Sequence, residues 1–302
     1  MRKAYIFTAL SALMFQTSCA GVRIFKPSPL KIAASFEAGG NTDEALKVLK
    51  NASFNPDLKP AAKREILTAL AGIYEKNKDS LNAIKTLREA NRIGDGDPFI
   101  SLRLAEILLK EGLLDEALLE YVAVEKMGAK TPSMLAGMGE AYYRKGRIFR
   151  AAEYLERYRK IYPDDKKALM MLYESYESLG NYPAARHALS GCAAILDGDE
   201  FALRVAMNWM RDANPDEAIE ELEKINANYV EANFYLGLAH YQKGELNKAL
   251  EFFSQAPSSL SDESSFFSAL VLFELGRKDE AYPIFKKLSV KEKYSEYCAV
   301  FK

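Results

Sequence analysis

Ala83, Ala117, Ala151 and Ala185 stand at an unbroken spacing of 34 residues, and their surroundings repeat with them. Around Ala151 the pattern is Gly139, Tyr142, Gly146 and Leu155. One period upstream it is Ala105, Leu108, Gly112 and Tyr121; one period downstream it is Tyr173, Tyr176, Gly180 and Leu189. A fixed period of this size marks an array of stacked supersecondary units, and it overrides the two domains that length alone would suggest. Each repeat carries two apolar stripes at helical spacing. Leu135, Met138 and Tyr142 share one helical face, and Gly146 predicts the end of that helix because glycine accepts a left-handed cap. A second helix bears Ala151, Leu155 and Tyr158 on one face and stops before Pro163. The small residues predict a close crossing in which Ala151 packs directly against Gly139. Tyr142 and Leu155 then fill the space on either side. A lone pair cannot bury both stripes, so neighbouring pairs must cover it.

Eight such repeats can be read. Their second-helix alanines are Ala45, Ala83, Ala117, Ala151, Ala185, Ala218, Ala249 and Ala281. Four residues on stand Leu49, Leu87, Tyr121, Leu155, Leu189, Leu222, Phe253 and Phe285. The first-helix small positions hold Ala33, Ala71, Ala105, Gly139, Ala206, Gly237 and Ala269, while the fifth repeat places Tyr173 there, which predicts splayed or shifted helices. Small residue, aromatic three later, turn glycine, alanine, apolar residue four later and then proline: this order resembles the tetratricopeptide repeat over roughly residues 26–290. The resemblance implies an all-α, right-handed superhelical solenoid of about eight helix pairs over residues 30–290, without an internal boundary, and a capping helix over 291–302.

Composition is consistent with that fold and narrows the chemistry. Hydrophobic residues make up 49% of the chain, ample for a continuous core. The 41 basic and 42 acidic residues are well mixed, with no basic stripe, which disfavours nucleic acid as a partner. His240 stands where other repeats have Tyr74, Tyr142 or Trp209, and reads as a packing residue; His187 reads as solvated. No zinc-spaced Cys or His pair, nucleophile elbow or phosphate-binding glycine loop occurs, so no catalytic residue, metal or cofactor is assigned and the chain reads as non-enzymatic. Cys192 and Cys298 lie three repeats apart and read as separate buried thiols. Glu106, Glu140 and Glu174 recur at the period, as do Lys76, Lys110 and Arg144, giving i,i+4 pairs that support the helices. In members of the family that grip a partner's C-terminal carboxylate, recurrent first-helix sites hold Lys and Asn. Here they hold Thr68, Gly72, Leu102, Glu106, Ala136 and Glu140, which disfavours that role.

The N-terminus predicts export. Arg2 and Lys3 precede an uncharged run from Ala4 to Phe15, then Gln16-Thr17-Ser18-Cys19-Ala20-Gly21. The layout resembles a bacterial lipoprotein signal over 1–19, with Cys19 as the lipidated residue and 20–29 as a tether. Ordinary cleavage after Ala20 also fits the pattern.

The resulting functional reading is a protein-interaction scaffold or adaptor, lipid-anchored in a bacterial cell envelope, the outer membrane favoured, and resembling tetratricopeptide lipoproteins that assist assembly of envelope complexes. The alternative is a soluble periplasmic module binding peptides or cell-wall fragments. From the fifth repeat onward the first helices carry more apolar residues than one core stripe needs. The surplus predicts an exposed apolar trough along Met170, Met207, Met210, Phe234, Tyr241, Phe266 and Phe273, docking a partner's apolar or amphipathic helix. Tyr294, Tyr297, Cys298 and Phe301 give the C-terminal segment one apolar stripe, which either covers the end of the stack or folds back into the trough.

Overall fold

The computed structural model describes residues 27–94 and 96–301, and among them every regular element is a helix. The export signal, Cys19 and tether residues 20–26 lie outside the described residues. Eight helix pairs follow one another: α1 (Pro29–Ala38) with α2 (Thr42–Ser53), α3 (Pro60–Lys76) with α4 (Ser80–Asn91), α5 (Pro98–Lys110) with α6 (Leu114–Lys126), and α7 (Pro132–Arg144) with α8 (Ile148–Arg159). They continue as α9 (Lys166–Ser178) with α10 (Tyr182–Ser190), α11 (Gly198–Arg211) with α12 (Pro215–Leu222), α13 (Glu231–Lys243) with α14 (Leu246–Ser254), and α15 (Ser261–Glu274) with α16 (Lys278–Leu288). A last helix, α17 (Glu292–Ala299), follows the eighth pair. The backbone groups into two compact units that divide after Ile100, inside α5, where the sequence suggested one uninterrupted array.

Local chemistry accounts for where the helices begin. Proline opens α1, α3, α5 and α7, where its missing N–H costs nothing. Ser28, Asp79, Thr131, Asp165 and Asn181 each accept a backbone N–H of the following first turn. The turn inside every pair is the same device. Gly40, Lys78, Gly112, Gly146, Gly180, Ala213, Gly244 and Gly276 all have φ between 58° and 85°, and each precedes its repeat's alanine by five residues. The N–H of the next residue then donates to the carbonyl five positions back, as in Arg147 to Tyr142 and Asn214 to Trp209. That 6→1 closure is a Schellman turn, and it fixes the reversal between the two helices.

The packing follows the same period. All eight alanines from Ala45 to Ala281 are 0% exposed. The large residue four positions later is buried in every repeat, from Leu49 to Phe285. The close contact across each pair differs in detail from the expected one. A Cβ on Gly139 would meet Leu155 Cδ2 and Cγ at 2.7 Å, not Ala151; a Cβ on Gly237 would meet the Phe253 ring at 2.6 Å. The small first-helix residue thus receives the large second-helix side chain, because helical side chains lean toward the N-terminus and cover the turn before their own Cα. Where Tyr121 replaces leucine, its ring and hydroxyl reach α7, the first helix of the next pair, where the missing Cβ of Gly137 makes room for them.

In the second unit each first helix packs on the second helix of the preceding pair, and consecutive first helices touch as well, α7 with α9, α11 with α13 and α13 with α15. The fifth pair is not splayed. Tyr173 is buried with Ala185 and Leu189, and α9 and α10 remain packed as the other pairs are. The C-terminal helix covers the end of the stack. Tyr294 and Cys298 are buried with Ala281, Phe285 and Leu288, and Lys291 and Lys293 pair with Asp262 and Glu263 of α15. In doing so the C-terminal segment lies against Phe266 and Phe273, the C-terminal residues of the predicted trough.

Two sets of substitutions test this packing in opposite directions. Gly237→Ala forces a methyl against Phe253 and should lower stability by about 1–3 kcal/mol. Ala213→Gly relieves a left-handed alanine whose strain outweighs the added freedom of glycine in the unfolded chain, and should raise stability by about 0.5–1 kcal/mol. Urea denaturation followed by circular dichroism reads both; a destabilised Ala213→Gly protein would contradict the turn assignment.

Candidate functional site

Because consecutive first helices touch in the second unit, their polar ends face one another from repeat to repeat. A series of hydrogen bonds spans these junctions. The Tyr143 hydroxyl donates to Glu174, Asn208 and Arg211 both donate to Glu177, Gln242 donates to the Met210 carbonyl at 2.9 Å, and the Tyr241 hydroxyl donates to Glu274. The periodic carboxylates bind across repeats as well as within a helix. Glu140 lies 3.9 Å from Arg144 on its own helix and 2.6 Å from Lys167 on the next first helix. On the other side of α11, the Arg186 guanidinium stacks on the Trp209 ring at 3.4 Å, donates to the buried Asn208 and pairs with Asp212 at 2.8 Å. Asn208 is held from both sides, so α11 has one fixed orientation.

Two adjoining pockets open along α9, α11 and α13. The larger, of about 740 Å³, is walled by Tyr173, Glu174 and Glu177 of α9, by Glu200, Leu203, Arg204, Met207 and Arg211 of α11, and by Asp197 and Tyr229. The smaller, of about 320 Å³, is walled by Met207, Met210 and Arg211 of α11 and by Tyr235, Leu238 and Gln242 of α13. Met207 and Arg211 belong to both, so the two form one groove with a charged end and an apolar end. Arg204 pairs with Glu200 at 2.8 Å, and Arg211 pairs with Glu177.

The predicted trough residues are only partly brought together. Met207 and Met210 line the groove. Met170 instead packs against the core of the fifth pair. Phe234 is only 7% exposed and belongs to a core cluster, its ring 5.9 Å from Phe253 and 6.0 Å from Phe267. Tyr241 leans on Phe267 at 6.4 Å. Phe266 lies beneath the C-terminal helix, 5.3 Å from Tyr294, and Phe273 meets Phe301 at 5.1 Å. The long apolar trough is therefore a short groove, because aromatic stacking and the C-terminal helix absorb the surplus of α13 and α15. Tyr173, Glu177, Glu200, Arg204 and Arg211 were not foreseen as groove residues. Tyr173 did stand out in the sequence as the one bulky residue at a small position.

His240 and the two cysteines are in packing roles. His240 is buried and stacked on Phe252, rings 5.1 Å apart, with Glu245 at 2.8 Å from Nδ1, and His187 is exposed. Cys192 and Cys298 are separate buried free thiols whose pKa burial raises. Among the described residues no group of three or more His, Cys, Asp or Glu is placed to hold a metal ion, and no helix is long and apolar enough to cross a membrane.

The sequence model of the tetratricopeptide repeat matches residues 136–194 and 210–264, which take in α9 and α13 on either side of the groove but leave out all of α11 except Met210 and Arg211. No curated protein matches the sequence. Among solved structures, a tetratricopeptide repeat protein from Parabacteroides merdae is 17% identical with a TM-score of 0.47, over 79% of this chain and 98% of that one. Naa15, in a structure of Naa15/Naa10 bound to HypK-THB, is 15% identical with a TM-score of 0.53, over 79% of this chain but 39% of that one. YrrB, described as a TPR protein with an unusual peptide-binding site, is 13% identical with a TM-score of 0.48, over 62% and 89% of the two chains. At these identities the likeness to Naa15 is one of fold.

Tyrosine–carboxylate contacts give the stack a signature in alkali. The hydrogen bond to Glu174 pushes Tyr143 up to about 12, and burial followed by the bond to Glu274 does the same for Tyr241. Burial and Asp165 raise Tyr158 to about 12 as well. A tyrosine in the unfolded chain titrates near 10, so the folded state holds more protons between these values. The stabilisation is complete below about pH 10 and is lost as pH rises through about 12. Phenolate absorbance should therefore appear together with loss of helicity in that window. Tyr143→Phe with Tyr241→Phe should flatten the fall in stability; an unchanged slope would contradict the assignment.

Proposed function

Starting from a chain that carries tetratricopeptide repeats, we propose that it is a non-enzymatic scaffold holding a protein partner in the α9–α11–α13 groove. A stack of tetratricopeptide pairs supports protein–protein interaction, since it presents a long inner surface built from separate repeats. The observation that carries the reading is the continuity of the two pockets through Met207 and Arg211. Methionine and tyrosine on such a surface adapt to side chains of different shape. The partner is a peptide segment or amphipathic helix seated along α11.

We further propose that the scaffold works in a bacterial cell envelope, tethered through a lipidated Cys19, as an adaptor in assembly of an envelope complex. The support is the sequence of residues 1–21: a charged start, an apolar run too short to span a bilayer, and a cysteine between Ser18 and Ala20. The outer membrane is the favoured location, and a soluble periplasmic binding module is the competing reading.

Met207→Asp with Met210→Asp should abolish copurification of a crosslinked partner while leaving the helical circular dichroism intact, because both side chains are only partly buried. Full partner recovery by that folded variant would move the site elsewhere. For the anchor, the membrane-fraction protein should carry a diacylglyceryl group on Cys19. A mature N-terminus at Gly21 would instead establish the soluble alternative.

A further inference from the structure

The charged end of the groove is not electrically balanced by its own residues. Four carboxylates line it, Glu174, Glu177, Asp197 and Glu200, against two guanidiniums, Arg204 and Arg211. Glu200 is matched to Arg204 and Glu177 to Arg211. The other two are served by neutral donors. Glu174 accepts the Tyr143 hydroxyl, and Asp197 accepts the Asp199 N–H at 3.0 Å as the cap of α11. Neither has an ion-pair partner among the described residues. A carboxylate offers about four lone-pair sites, so each retains acceptor capacity inside a concave wall. The adjoining apolar end carries Met207, Met210 and Leu238.

We propose that the groove selects a partner segment in which a lysine or arginine is flanked by apolar side chains. The cation enters the larger pocket toward Glu174 and Asp197, and the apolar neighbours seat on Met207, Met210 and Leu238. This rests on the reading of the groove as the partner site, and adds the chemistry of what occupies it. A cation there adds an ion pair on the acceptor sites that remain and removes the excess negative charge. An acidic segment would bring like charge to an already acidic wall, which makes the preference a matter of specificity as well as affinity.

The test uses the folded full chain and three pools of short fluorescein-labelled peptides. One position is fixed as lysine, glutamine or glutamate, and its neighbours are drawn from Leu, Met, Ala and Ser. Fluorescence anisotropy should show the lysine pool binding about tenfold more tightly than the glutamine pool, and the glutamate pool weakest. Glu174→Gln with Asp197→Asn should remove the preference, since glutamine still accepts the Tyr143 hydroxyl and asparagine still caps α11. A preference that survives in that double variant would place the cation elsewhere and overturn the proposal. Equal binding of all three pools would also overturn it, yet leave the groove reading standing if Met207→Asp with Met210→Asp abolishes that binding. Absence of binding by every pool would sink both.

Discussion

Seven of the eight helix pairs share a size exchange at one crossing, the fifth alone placing a bulky residue, Tyr173, at the small position. A first-helix residue with little or no side chain gives its volume to the large second-helix residue that stands four places after the invariant alanine. Gly139 under Leu155 and Gly237 under Phe253 are the tightest cases, with less than 3 Å from an added Cβ to the neighbour. A close-packed interior cannot absorb an extra methyl at such a point unless the neighbouring side chain gives way, so the crossing sets how close the helices lie. Everything further out follows. The neighbouring first helix packs on that pair, and the junction between first helices brings Tyr143 to Glu174 and Asn208 to Glu177. Where the large residue grows, the accommodation passes to the next pair: the ring of Tyr121 reaches Gly137 on α7, the following first helix.

This explains how much of the fold can be read directly from residue spacing. Alanine, the large residue and the turn residue recur together, and all three are positions where sterics leave few choices. The eight turns keep one conformation although Lys78 and Ala213 stand at two of them, because the 6→1 hydrogen bond holds the turn even without glycine. What spacing does not reveal is which partner a side chain meets across the pair. The pattern suggested Ala151 on Gly139, whereas the backward lean of helical side chains puts Leu155 there. Likewise the bulk of Tyr173 suggested distortion, but that residue is simply buried beside Ala185, with its hydroxyl toward Arg204.

The groove is less legible for a related reason. A surplus of apolar residues on a first helix has three possible destinations: the adjacent first helix, the end cap or solvent. Sequence counts the surplus without dividing it. In α15, Phe267 goes to Phe234 and Phe253, Phe266 goes to the C-terminal helix, and Phe273 goes to Phe301. Met207 and Met210 of α11, with Leu203, Tyr235 and Leu238, keep a share for the groove. The charged wall escaped notice because Glu177, Glu200, Arg204 and Arg211 look like ordinary solvating charge when read one helix at a time. Their meaning comes from being placed opposite one another by the stacking of α9 on α11.

The same stacking makes some groove residues unsuitable as purely recognition residues. Glu177 accepts from Asn208 and Arg211 together, and Asn208 is in turn held by Arg186, whose guanidinium lies on Trp209. Removing Glu177 would strip a buried amide and a guanidinium of their acceptor, and a half-satisfied network of this kind costs more than an apolar one. Its loss would loosen α11 against α9 and widen the groove at once, so stability and binding would fall together. Glu174 and Asp197 are different, because each accepts from one neutral side-chain or backbone donor that its amide counterpart can still accept from. The groove thus separates into a framework that sets its width and a pair of carboxylates free to meet a ligand. A scaffold assembled from repeats reaches this division readily, since the junction network fixes the spacing of helices while residues beside it remain available for recognition.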